Sequence, residues 1–73
     1  MIIYYDVKNL VNNKTIWRSQ GKTVDSARVA ARRKAIENGT PAIITYSWGC
    51  KIICIEKSEK PESRDSWVIE NYT

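Results

Sequence analysis

Apolar and polar residues alternate at the start of the chain. Ile3, Tyr5 and Val7 stand between Tyr4, Asp6 and Lys8, so Ile2 to Lys8 reads as a half-buried strand. Asn12-Asn13 is a turn signal, because asparagine tolerates positive φ. Thr15-Ile16-Trp17-Arg18 resumes the strand pattern, which predicts a hairpin ended by Gly21-Lys22. The pattern then changes period. Val24, Ala27, Ala31 and Ala35 recur at helical spacing within a segment rich in alanine and arginine. Thr23 suits the N-cap, Asp25 the first turn, and Gly39 the left-handed residue that ends the helix near Asn38. The small side chains of this stripe allow the helix to lie close to a sheet.

After Pro41, Ala42 to Tyr46 reads as a third strand, Trp48-Gly49 as a tight turn, and Cys50 to Glu56 as a fourth, the most apolar of all. Lys57 to Asp65 is charged, contains Pro61, and is expected to be an exposed loop. Ser66 to Glu70 suggests a short last strand; the alternative is a loose tail over 57–73. The expected architecture is therefore one small α+β domain in the order β-β-α-β-β-β, an antiparallel sheet of four to five strands with one helix on one face. A single helix covers one face only. If Cys50, Ile52 and Cys54 meet it, Ile53 and Ile55 face away beside Lys51. They would form an exposed apolar patch, of the kind that marks an interface or a homodimer contact, unless Trp67 and Ile69 fold over it.

Composition narrows the function. At 73 residues the chain is short enough to need staples, yet it has no histidine and two cysteines. On one strand Cys50 and Cys54 would lie about 13 Å apart, too far for a disulfide. Two cysteines without histidine are too few for a zinc site, so no metal or cofactor is expected. Unpaired thiols, no apolar run long enough for a membrane helix and no signal-peptide pattern point to the cytoplasm. Without histidine the commonest general base is missing. No serine sits in a nucleophile motif and no phosphate-binding loop is present, so a non-catalytic protein is expected.

The net charge of +4 permits nucleic acid or an acidic protein as partner. Arg28, Arg32, Arg33 and Lys34 form a basic collar on the helix. It reads either as a solvated face of good helix formers or as an anion-binding surface. Trp48, at a turn, is expected to be partly exposed. With Lys51 it makes a sheet-side candidate contact, since an aromatic beside a cation can stack on bases or anchor a protein interface.

From the helix onward the chain resembles small phage-encoded anti-CRISPR proteins that inhibit type I-F surveillance complexes. The resemblance rests on Thr23-Val24, Ala27-Arg28, Ala31, Gly39-Thr40, Gly49 and Trp67-Val68, with an isoleucine-rich first strand, and covers about two-thirds of the chain. It implies a sheet with one helix, a phage or prophage origin, and docking on a host CRISPR effector or other defence complex so as to obstruct target DNA. The Arg-rich helix and the charged Lys57–Asp65 segment depart from that pattern, and no contact residue is carried over. Two rival readings remain: a small basic protein that binds DNA or RNA directly, and an oligomeric accessory protein.

Overall fold

A computed structural model describes residues 1–72. Five strands form one antiparallel sheet in the order β2-β1-β3-β4-β5, and a single helix crosses one face between β2 and β3. The expected α+β arrangement is present.

The first hairpin joins β1 (Ile3–Asn9) to β2 (Thr15–Gly21). Its turn is built by asparagine side chains: Asn9 Oδ1 accepts from the backbone N–H of Val11 at 2.8 Å and of Asn12 at 3.1 Å, and Asn13 takes φ 61°. The pairing slips by one residue between Val7 and Lys8, which leaves Ile16 as a bulge. Ile3, Tyr5 and Val7 are buried under the helix. Tyr4, Asp6 and Lys8 lie on the opposite, open face.

Helix α1 (Val24–Asn38) begins with a reciprocal capping box. Thr23 Oγ1 accepts from the Ser26 N–H and Ser26 Oγ accepts from the Thr23 N–H, both at 3.1 Å. It ends where Gly39, at φ 72°, donates its N–H to Ala35 O. Ala27, Ala31 and Ala35 are fully buried, as their spacing predicts. The N-terminal turn sits directly on Gly21, where an added Cβ would lie 3.0 Å from the Ala27 backbone nitrogen. The helix packs on β1, β2 and β3, leaving the same face of β4 and β5 to be covered by other groups.

Strands β3 (Ala42–Trp48) and β4 (Lys51–Ser58) are joined by a turn at Gly49-Cys50, and β5 (Val68–Asn71) pairs with β4. Residues 57–71 are thus no loose tail; Thr73 lies outside the described residues.

Two expectations need correction. The segment 57–65 is not simply an exposed loop. Lys57 and Ser58 belong to β4, and Pro61 is fully buried. The Ser66 hydroxyl donates to Lys60 O at 2.6 Å, and Trp67 Nε1 donates to Pro61 O at 3.3 Å. A 3₁₀ turn (Arg64–Ser66) completes this cover. The second correction concerns the apolar patch. The register slips between Tyr46 and Ser47, so that Tyr46 opposes Cys54 while Ser47 opposes Ile52. Ile53 is the extra residue of a bulge. It packs half-buried against the core, whereas Ile52 turns to the open face. Ile55 stays on the open face, half-buried between Thr45 and Glu70. Ile53 and Ile55 therefore do not form one exposed patch.

Candidate functional site

The helix cations and the hairpin end behave differently. Arg28 and Arg32, one turn apart, reach from the helix flank over β4 and meet the same carboxylate. Arg28 Nε donates to Glu56 Oε1 at 2.5 Å, and Arg32 Nε donates to Glu56 Oε2 at 2.6 Å. Glu56 is 0% exposed, while the two arginine side chains keep 27% and 29% of their surface. A carboxylate with no access to water needs such partners, since an unpaired buried charge is strongly disfavoured.

Aromatic faces complete the cluster. The Arg28 guanidinium lies 5.9 Å from the Tyr46 ring centroid and that of Arg32 lies 5.1 Å from Trp67. Arg28 Nη2 also donates to Cys54 Sγ at 3.7 Å. Burial alone would lower the Arg28 value, but the Glu56 charge and the hydrogen bonds to Cys54 and Glu56 leave it raised. The Tyr46 hydroxyl is pushed well above its ordinary range, first by burial and then by the Glu56 charge. It has no hydrogen-bond partner of acceptable geometry although it is fully buried beside Glu56.

The rest of the collar is dispersed. Lys34 Nζ stands 4.1 Å from the Trp17 ring centroid and 3.3 Å from Glu37 Oε2. Arg33 is exposed on the outer face of the helix, between Val29 and Ile36 at helical spacing. The structure thus brings Arg28 and Arg32 together and separates Arg33 and Lys34 from them. Among the described residues, no three His, Cys, Asp or Glu side chains gather as metal ligands.

The other grouping lies where the β3–β4 hairpin meets the start of β1. Tyr4 pairs with Gln20 on one side and Ser47 on the other, and Ser47 pairs with Ile52. These four residues form one row across the open face, with neighbouring strands about 4.8 Å apart. One position further Trp48 stands opposite Lys51, both on the helix side of the sheet by strand alternation, and Ile2 and Lys22 lie beside the Ile3–Gly21 pair. Tyr4 is 48%, Trp48 57% and Ile52 42% exposed. Lys22 and Lys51 are exposed as well. No carboxylate occurs among these residues; the next open-face residue of β1, Asp6, is held by Arg18 at 3.0 Å.

Trp48 and Lys51 thus stand opposite each other at the hairpin end, as their sequence proximity suggests, but on the face of the sheet away from Tyr4 and Ile52. Tyr4 was legible as a polar-face residue of the first strand. Ile52 was not, because a bulge cannot be read from alternation. Glu56 had a signal in the sequence: it is the lone carboxylate of the most apolar strand, and two arginines stand four residues apart on the helix.

No protein-family model, curated protein or solved structure matches this chain. No helix among the described residues is long and apolar enough to cross a membrane.

Proposed function

We propose that this protein is a non-catalytic binding protein that docks on a host defence nucleoprotein complex through the hairpin end of its sheet and obstructs nucleic-acid access. The observation that carries this reading is the exposed Trp48 paired with the exposed Lys51 at the end of the β3–β4 hairpin. Exposed aromatics anchor protein interfaces, and the cation favours an acidic partner surface. The helix arginines contribute less to such a surface, because Glu56 already engages both. The resemblance to anti-CRISPR proteins makes a type I-F surveillance complex the first partner to test.

Biolayer interferometry against the purified complex is the direct assay. Wild-type protein should bind, Trp48→Ala with Lys51→Glu should weaken binding at least tenfold, and Arg33→Gln should not change it. Absence of wild-type binding would remove this partner. Unchanged binding by the double variant would remove this surface.

The same adjacency of cations and aromatics favours a second reading, a stacking platform for single-stranded nucleic acid. Fluorescence anisotropy with an oligonucleotide at two salt concentrations separates the two. Affinity that collapses with salt and depends on Trp48 supports direct binding; no binding at low salt excludes it.

A further inference from the structure

The Arg28–Glu56–Arg32 cluster has more donors and more positive charge than its own residues use. Two guanidinium charges against one carboxylate leave a net charge of +1. Each guanidinium carries five N–H donors. Glu56 takes the Nε–H of both, and Cys54 takes one from Arg28 Nη2. The Arg32 Nη groups and Arg28 Nη1 have no hydrogen-bond partner among the described residues. A site organised solely to neutralise Glu56 would not need a second guanidinium.

The geometry also makes the spare donors available. Both arginines lie one helical turn apart, so their guanidiniums can converge on one ligand. Each is fixed at Nε by Glu56, and Arg32 is further held against Trp67. Their conformational entropy is therefore already restricted, which lowers the cost of binding. Their partial exposure, 27% and 29%, leaves a route from solvent.

We infer that Arg28 and Arg32 form a preorganised oxyanion site that takes a phosphate group, with Arg32 Nη1 and Nη2 as its principal donors and Arg28 Nη1 as the second contact. Paired N–H donors on a planar guanidinium match two oxygens of a phosphate, whereas a lysine offers only a point charge. The site is separate from the hairpin end, so it stands or falls independently of the docking surface proposed above. The phosphate is either free or terminal on a nucleotide, and both present the same oxygens.

The test uses the full chain labelled with ¹⁵N. Sodium phosphate is titrated against sodium chloride of equal ionic strength while the arginine Nε–Hε and tryptophan indole signals are followed by NMR. Saturable, phosphate-specific shifts at Arg28, Arg32 and the Trp67 indole, with none at Arg33, are expected. Arg32→Lys should weaken the response about tenfold, because it keeps the charge and loses the paired donors. If that variant fails to fold, the wild-type titration still decides. No saturable shift beyond the chloride control, or an equal response at Arg33, overturns the site. A 5′-phosphorylated oligonucleotide and its dephosphorylated twin distinguish the sources. Tighter binding of the phosphorylated form than of inorganic phosphate identifies a nucleotide end, and equal affinity identifies the phosphate alone. Equal shifts at these residues from the dephosphorylated twin would overturn the assignment.

Discussion

Replacing Glu56 is the most informative perturbation of this fold. Its carboxylate is fully buried and receives one hydrogen bond from each of two arginines. Removing one partner of a buried ionic group costs about 3–5 kcal/mol, mainly because the remaining charge is stranded. Here the stranded charges are guanidiniums that keep more than a quarter of their surface. They can recover part of their hydration, so the lower end applies: about 3 kcal/mol for Glu56→Ala, which also opens a void. Glu56→Gln retains the volume and one oxygen acceptor and should lose about 2 kcal/mol. A chain of 73 residues is stable by about 4–11 kcal/mol in all, so either loss is a large share.

Urea unfolding followed by tryptophan fluorescence and far-ultraviolet circular dichroism measures the loss. In thermal unfolding, 2 kcal/mol corresponds to about 8–16 °C in a domain of this size. A third variant isolates the cause. Arg28→Met with Arg32→Met and Glu56→Leu removes all three charges and keeps comparable volume. It should fall within about 1 kcal/mol of wild type or exceed it, as apolar replacement of buried ionic groups often does. A loss below about 0.5 kcal/mol for Glu56→Gln would place the cluster with surface ion pairs and refute the reasoning.

Other expectations follow from single positions. Tyr46→Phe removes a buried hydroxyl that lies beside Glu56 without a well-formed hydrogen bond, so stability at neutral pH should stay within about 1 kcal/mol of wild type or rise. The same variant should resist alkali better. The folded-state value of Tyr46 lies above its unfolded value of 10.0, so its contribution is complete below that pH. As pH rises further the unfolded chain releases the proton and the folded one retains it, at about 1.4 kcal/mol per pH unit, and urea midpoints across that range should decline less steeply in the variant. Gly39→Ala forces a Cβ into a left-handed φ of 72° and should cost about 1–2 kcal/mol in urea unfolding, although nothing crowds the position. Gly21→Ala fails for another reason: the new Cβ meets the Ala27 backbone at 3.0 Å, and about 1–3 kcal/mol should be lost as the helix is pushed from the sheet.

Local signals carried much of this architecture. The Thr23 cap, the alanine stripe and Gly39 place α1 at Val24–Asn38, and alternation places β1 within a residue of its observed limits. Where the reading failed, the determining contacts are distant in sequence. The bulge at Ile53 reverses the side of Ile52 and is set by pairing with β3. Pro61, in a charged segment, is buried because Trp67 and Ser66 return over it. The collar of Arg28, Arg32, Arg33 and Lys34 was legible as composition, but its division was not. Helical spacing places Arg28 and Arg32 on one flank, yet only the β4 register shows that Glu56 lies beneath both.

That division follows from the shape of the core. Buried alanines allow α1 to approach β1 closely, and the helix consequently spans only β2, β1 and β3. On that face β4 and β5 would be left bare. The returning segment around Pro61 and Trp67 covers one side of the gap, and the flank of the helix must supply the other. Alanine is too short to do so. Arginine has an apolar stem long enough to bridge the distance, but it brings a charge, and Glu56 on β4 neutralises it at the point of contact. The basic character of this flank is thus first a consequence of packing a narrow helix on a wide sheet. Any partner that recognises Arg28 and Arg32 must use the N–H groups that Glu56 leaves over, whereas a partner at Trp48 and Lys51 meets exposed side chains with no such prior engagement. This difference is why docking is proposed at the hairpin end and a small anion at the helix flank.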